Sequence, residues 1–112
     1  MSTHHLQLAT EPFSAILAGK KTIESRLFDE KRRAIQLGDE LIFVNRENES
    51  QSVKAKVVGL LRYRSFYDLF NYNDVSLFGG ESVEWLENQI NQFYDKKSQD
   101  EFGVLGIQFE LT

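Results

Sequence analysis

The residues best suited to chemistry in this sequence lie in one charged segment. It reads Gly19-Lys20-Lys21-Thr22-Ile23-Glu24-Ser25-Arg26 and is called the motif segment below. On a regular strand Thr22, Glu24 and Arg26 share one face. Lys21 points to the other face, so the chain must bend before the strand if Lys21 is to meet Glu24, and Gly19 allows such a bend. Two cations and one carboxylate would then converge, a grouping that can hold a phosphate or orient a polar base.

A purely structural explanation of the same residues stays open. Lys20 and Lys21 follow a predicted helix C-terminus, where their charges alone would interact favourably with the helix dipole and the last carbonyls. Glu24 and Arg26 would then form an ordinary surface ion pair, which contributes little to stability. The two explanations differ in one respect: only a ligand site requires the three charges to converge in one cleft.

The motif segment matches the pattern G-x-K-x-x-E-x-R in full, and through it the chain resembles the ASCH family, a branch of the PUA-like barrels. The resemblance extends to the turn Leu37-Gly38-Asp39 and to the closing segment 103–109. It implies a β-barrel whose cleft, beside the motif, receives RNA, a nucleotide or a nucleoside. The ligand-binding residues that we expect are Lys20, Lys21, Thr22, Glu24, Arg26, Tyr63 and Arg64, with Arg62 assisting.

The resemblance also implies an alternative activity. Some relatives are small amidohydrolases that deacetylate cytidine acetylated on its exocyclic amine, using the lysine that corresponds to Lys21 and a threonine three residues later. Here Glu24 occupies the threonine position, and a carboxylate is a poor acyl-transfer nucleophile. If the chain is a hydrolase of a modified nucleoside or of RNA, Lys21 and Glu24 are its catalytic candidates, with Thr22 and Glu81 as further ones.

Composition limits the partners. The net charge is −4, from 13 basic and 17 acidic residues, which argues against a general nucleic-acid binder that works by phosphate neutralisation alone. A local basic cleft is still compatible with the sequence, because Lys20, Lys21 and Arg26 cluster, as do the basic residues in 31–33 and 54–64. We therefore expect RNA or a nucleotide or nucleoside as the ligand and no cofactor, and the oligomeric state stays open.

Cysteine is absent, which excludes disulfides and a cysteine nucleophile. His4 and His5 would face opposite sides of a strand, so we expect no metal site. The start of the chain lacks the order of a signal peptide, and no apolar run is long enough to span a membrane, which predicts a cytoplasmic protein.

Two aromatic residues bear on the partner. Tyr63 lies between Arg62 and Arg64 at the predicted end of a strand and is the best candidate for stacking on a base. An exposed apolar patch around Trp85 would instead indicate a protein-interaction module. Ligand binding, hydrolysis and protein interaction are thus three separate hypotheses.

The periodicity predicts the elements that position these residues. Leu105, Ile107, Phe109 and Leu111 alternate with small or polar residues in a final strand. Thr10 is predicted to cap a first helix, and further helices are predicted to start at Ser65, in a capping box, and at Ser82, the last running to about Tyr94. Gly59 interrupts the alternation of a long strand, which indicates a bulge.

These elements predict an α+β fold, a small PUA-like β-barrel of about five or six strands with two or three short helices. A closed or nearly closed barrel would avoid exposed strand edges. The length of 112 residues, with 41% hydrophobic and 27% charged residues, is typical of one soluble domain. We expect residues 1–112 to form that single domain around one core.

Overall fold

The strands form one curved sheet with two free edges. The computed structural model describes residues 1–112. Its strands are β1 (Thr3–Leu8), β2 (Ile23–Leu27), β3 (Glu40–Asn45), β4 (Ser52–Tyr63) and β5 (Val104–Leu111). Their order is β1-β3-β4-β5-β2, with β1 parallel to β3 and every other pair antiparallel. Because β1 and β2 do not pair, the sheet curls into a half-barrel, and the predicted α+β fold class is confirmed.

Five short helices connect the strands. They are α1 (Thr10–Leu17), α2 (Glu30–Arg33), α3 (Phe66–Asn71), α4 (Val83–Ile90) and α5 (Lys96–Phe102), with a 3-10 turn at Val75–Leu77. Periodicity does not reveal α2 and α5, because each is a polar segment that starts at a capping aspartate, Asp29 or Asp95. No helix is both long and apolar enough to cross a membrane.

The predicted helix starts at Ser65 and Ser82 are confirmed, because the two hydroxyl groups accept hydrogen bonds from the N–H groups of Asp68 and Trp85. The predicted cap at Thr10 is wrong, because Ala9 precedes α1 and makes no side-chain cap. The Thr10 hydroxyl instead donates to the loop after β3, 2.8 Å to a carboxylate oxygen of Glu47. Helix α4 also ends earlier than predicted, at Ile90.

The sheet is packed on both faces, so the expectation of one core needs correction. The inner face, defined as the face that carries Leu105 and Ile107, packs with α1 into a cluster of 12 buried residues. The outer face, which carries Ile23 and Val104, packs with α3 and α4 into a cluster of eight. Because β5 lies between β4 and β2 and is covered on both faces, its alternate positions are buried as well, which simple alternation did not predict.

A bulge in β4 decides which of its late residues face inward. The register between β4 and β5 shifts between Val57 and Gly59, which confirms the predicted bulge. One extra residue reverses the alternation beyond it. Leu60 and Arg62 therefore lie on the inner face, and Tyr63 lies on the outer face.

Gly80, just before α4, gives a first prediction. A Cβ atom there would lie 2.5 Å from Cδ2 and 2.6 Å from Cγ of buried Leu86. Gly80→Ala should lower the free energy of unfolding by about 1–3 kcal/mol, the usual cost of overpacking. Urea denaturation would measure it, with exposed Asn88→Ala on α4 as a control that should change stability by no more than about 0.5 kcal/mol. A Gly80→Ala protein as stable as the control would show that α4 is free to shift.

Candidate functional site

The bend required by the motif segment occurs at the end of α1. Gly19 has a φ of 75°, in the left-handed region that favours glycine. The N–H groups of Lys20 and Lys21 both donate to the carbonyl of Ala15, at 2.9 and 3.2 Å. Lys21 then forms an isolated bridge with Phe78. The chain is thus held between α1 and the segment before α4 when β2 begins.

The Lys21 ammonium group is buried and fully engaged. Its Nζ donates to the carbonyls of Ile23 at 3.1 Å and Phe78 at 3.2 Å, and lies 3.3 Å from Oε1 of Glu24. Only 7% of the residue is exposed. Two of its three donors are thus bonded to carbonyls, and its charge is paired with the Glu24 carboxylate.

Glu24 is the buried carboxylate between the two cations. Its Oε1 accepts from the N–H of Ser25 at 2.8 Å, and its Oε2 lies 3.1 Å from Nη2 of Arg26. Burial alone would raise the pKa, but the charges of Lys21 and Arg26 and the Ser25 hydrogen bond outweigh it and lower the pKa to about 2. Glu24 is therefore ionised throughout the neutral range.

Arg26 joins the two free edges of the half-barrel. Its Nη2 contacts Glu24 and also donates to the backbone carbonyl of Gln7 on β1, at 2.9 Å. Burial alone would lower the pKa of the guanidinium, but the Glu24 charge and the neighbouring Tyr94 outweigh burial and raise the pKa above its ordinary value. The guanidinium remains charged and bridges a gap that no strand pairing closes.

The register places the motif residues in rows across the inner face. Glu24 lies opposite Ile107, which lies opposite Leu60. In the next row Arg26 lies opposite Leu105, which lies opposite Arg62. With strands about 4.8 Å apart, Arg26 and Arg62 are two strand spacings, or roughly 10 Å, from each other on one face.

A groove of about 930 Å³ lies at the end of these rows. Its lining residues are Phe28, Arg62, Tyr63, Arg64, Asp68, Asp100, Glu101, Phe102, Gly103 and Val104. The guanidinium carbon of Arg62 lies 4.1 Å from the centre of the Phe28 ring, and that of Arg33 lies 5.3 Å from it. The groove begins two residues beyond Arg26 and does not include Lys21 or Glu24.

The other expected site residues are spread around this region. Lys20 is exposed, and Thr22 is half-buried with its N–H bonded to the carbonyl of Leu77. Glu81 is exposed and makes no ion pair. Arg64 is exposed beside the groove. Tyr63 is half-buried and stacks on exposed Tyr72, with ring centres 5.9 Å apart.

Sequence reasoning missed two partners at this site. The carbonyl of Gln7 carries no side-chain signal at all, so nothing in the sequence pointed to it. Phe28 could have been predicted, because it lies two residues after Arg26 and alternate residues of a strand share one face.

Trp85, the residue proposed for an exposed protein-binding patch, is half-buried and packs against the outer cluster.

Fold and site together define a PUA-like half-barrel with a buried cluster of two cations and one carboxylate. The chain belongs to the ASCH family, because the model of the ASCH domain matches residues 6–112. No curated protein matches it.

Solved structures share the fold. The crystal structure of hypothetical protein PH0355 is 36% identical over the full length of both chains, with a TM-score of 0.86. Protein PF0455 from Pyrococcus furiosus is 30% identical, with a TM-score of 0.76, covering 99% of this chain and 97% of that one. The ASCH protein from Zymomonas mobilis is 15% identical, covers 95% of this chain and 65% of its own, has a TM-score of 0.65, and shows the fold alone.

Proposed function

We propose that this chain is an RNA-binding ASCH domain that holds a short stretch of RNA, or a nucleotide, at the accessible end of the inner face, between Arg26 and the groove at Phe28. The family is generally RNA-binding. The single observation that carries the proposal is the row in which Arg26 and Arg62 share one face, with the Phe28 ring beside Arg62. Two cations next to a ring match the alternation of phosphate and base along RNA.

The buried part of the motif segment acts by positioning. Lys21 and Glu24 satisfy each other and nearby backbone groups, so neither has a free polar group for a ligand. Arg26 differs, because its hydrogen bonds to Glu24 and Gln7 both use Nη2. Its Nε and Nη1 donors are left for Tyr94 or for a ligand phosphate, and Glu24 fixes the plane of the guanidinium.

The groove supplies the remaining contacts. Arg62 and Arg64 are exposed and line it, and each can donate to a phosphate oxygen. Asp68, Asp100 and Glu101 also line the groove, and their carboxylates would repel a backbone phosphate and accept from the amino group of a base. The backbone of a bound RNA should therefore contact the two arginines rather than these three residues.

Hydrolysis is not favoured by a specific contact. A general base works best with a pKa near the working pH, and the pKa of Glu24 is lowered to about 2. Lys21 donates to two carbonyls and pairs with Glu24, and Glu81 has no charged partner. The catalytic roles of Lys21, Glu24, Thr22 and Glu81 stay predictions that a turnover assay with acetylated cytidine and single-stranded RNA would test.

Removing both groove arginines tests RNA binding. We expect the double variant Arg62→Gln/Arg64→Gln to bind a mixed-sequence RNA of about eight nucleotides roughly tenfold or more weakly than the unchanged chain. The magnitude of the slope of log K against log salt concentration should fall by about 1.4, because each arginine would neutralise one phosphate of a single strand. Fluorescence anisotropy at several salt concentrations would measure both quantities.

The matched control is Lys54→Gln/Lys56→Gln. These lysines lie on the same strand, are exposed and form no ion pair, and their replacement removes the same total charge. The control should retain the affinity and the salt slope. Equal losses of affinity in the two double variants would mean that only the overall charge matters, and the proposed site would be wrong.

A further inference from the structure

A second pocket lies at the free edge of β1, where α2 packs beside it. Its volume is about 280 Å³. The lining residues are Thr3, His4, His5, Leu6, Lys31, Arg32 and Ile35. Lys31 and Arg32 lie on α2, the charged segment to which the motif gives no role. The pocket is separate from the groove, since the two share no lining residue.

The lining carries donors and cations but no carboxylate. Three acidic groups close by are already bonded, and Glu30 of α2, which makes no ion pair, is exposed and outside the lining. Asp29 accepts from Nη1 of Arg32 at 2.7 Å, Asp39 accepts from Nε2 of His4 at 2.8 Å, and Glu40 accepts from the Thr3 hydroxyl at 3.2 Å. An anion entering the pocket would thus meet Lys31 and Arg32 without facing an unpaired carboxylate.

Two donors of Arg32 lack a partner. The Nε atom of Arg32 is buried and makes no hydrogen bond, although Nη1 of the same side chain is paired with Asp29. Nη2 of the same guanidinium also makes no hydrogen bond but is not fully buried, so it is the donor that an anion in the pocket can reach. Only 15% of the Arg32 side chain is exposed, so its position is already fixed.

The backbone of β1 adds a further donor. The carbonyl of Gln7 points away from β3, because it accepts from Arg26, whereas the carbonyls of Ser2 and Leu8 accept from the β3 side. Since successive backbone groups of a strand point to alternate sides, the N–H of His5 also points to the free edge. His5 is one of the residues that line the pocket.

We propose that this pocket binds a phosphate group, through Nη2 of Arg32, the ammonium of Lys31 and the N–H of His5. The next residue of α2, Arg33, reaches over the Phe28 ring of the groove. Helix α2 therefore contributes side chains to both places, Lys31 and Arg32 to the pocket and Arg33 to the Phe28 ring. The pocket can bind free phosphate even if the groove binds no RNA, so the two proposals are tested separately.

Inorganic phosphate is the first probe. Titrated into the full ¹⁵N-labelled chain, it should shift the backbone amide signals of His5 and Arg32 and the side-chain Nε–H signal of Arg32, with one saturable curve. Lys31→Gln/Arg32→Gln should weaken this binding about tenfold or more, and Lys31→Gln alone, which breaks no ion pair, should weaken it in part. Lys54→Gln/Lys56→Gln, of equal charge change, should leave it unchanged.

Two RNAs of the same sequence, one with a 5′-phosphate and one with a 5′-hydroxyl, distinguish a terminal phosphate from a backbone phosphodiester as the bound group. If the Lys31→Gln/Arg32→Gln variant loses affinity only for the first, the pocket takes a terminal phosphate. If it loses affinity for both, the pocket takes a backbone phosphodiester. Phosphate shifts that do not saturate, or that persist in Lys31→Gln/Arg32→Gln, would overturn the proposal.

Discussion

Glu24→Gln should lower the free energy of unfolding at pH 7 by about 3 kcal/mol. The variant keeps the shape of the side chain but leaves Lys21 and Arg26 buried beside a neutral amide. The lowering of the Glu24 pKa from 4.5 to about 2 corresponds to a similar amount, roughly 3 kcal/mol, of stabilisation by the ionised carboxylate. Urea denaturation followed by Trp85 fluorescence would measure the loss of stability.

The pH dependence has a definite sign. The folded-state pKa of Glu24 lies below its unfolded value of 4.5, so its contribution is complete above about pH 4.5 and is lost as the pH falls towards 2. The stability of the unchanged chain should therefore approach that of Glu24→Gln over this window. Asp39, Asp74 and Asp95 also have lowered pKa values, but both proteins retain them, so the difference between the two curves isolates Glu24.

The control for this prediction is Glu110→Gln, which removes an exposed carboxylate from β5. Its stability should change by no more than about 0.5 kcal/mol at any pH in the window. A constant difference between the unchanged chain and Glu24→Gln from pH 7 to pH 2 would contradict the prediction, because it would mean that Glu24 is not ionised within the cluster.

Lys21→Met should cost about 2–4 kcal/mol, the second-largest effect that we expect. Methionine keeps the unbranched apolar length but donates to neither the Phe78 carbonyl nor the Ile23 carbonyl, and Glu24 then has Arg26 as its one cation. The pKa of Glu24 should rise towards its ordinary value as a result. Acid unfolding of Lys21→Met should consequently begin at a higher pH than that of the unchanged chain.

Lys20→Met is the matched control, since Lys20 is the exposed neighbour of Lys21 and forms no ion pair. It should change stability by no more than about 0.5 kcal/mol. The double variant Lys21→Met/Glu24→Gln should be more stable than the sum of the single losses predicts, with a coupling of about 1–3 kcal/mol. Additive losses would show that the two side chains do not stabilise each other.

In the motif segment, some contacts could be predicted from the sequence and others could not. Spacing alone required a bend if Lys21 was to meet Glu24, and Gly19 supplied the residue for it. The structure has both. The hydrogen bond from Arg26 to the Gln7 carbonyl could not be predicted, because the acceptor is a backbone atom on a strand that pairs elsewhere. The pairing of His4 with Asp39 was not predicted either, because 35 residues separate them and only the fold brings them together.

Among the helices and in the core, local signals were predictable from the sequence and packing between distant elements was not. The caps at Ser65 and Ser82 are local signals, so they were readable from the sequence. Helix α5 has no apolar period, because it docks mainly through Gln99 and Phe102, and it was missed. The two faces of β5 were also unreadable locally, because whether Gly106 is buried depends on where α3 packs.

The most direct test of RNA binding on the inner face is to titrate the ¹⁵N-labelled chain with the same short RNA and map the amide and arginine side-chain signals. We expect the largest changes at Arg26, Phe28, Arg62 and Arg64, including the Nε–H signals of the three arginines. Changes confined to the outer surface of α4, with the signals of Arg26 and Arg62 unmoved at saturation, would contradict RNA binding at this face.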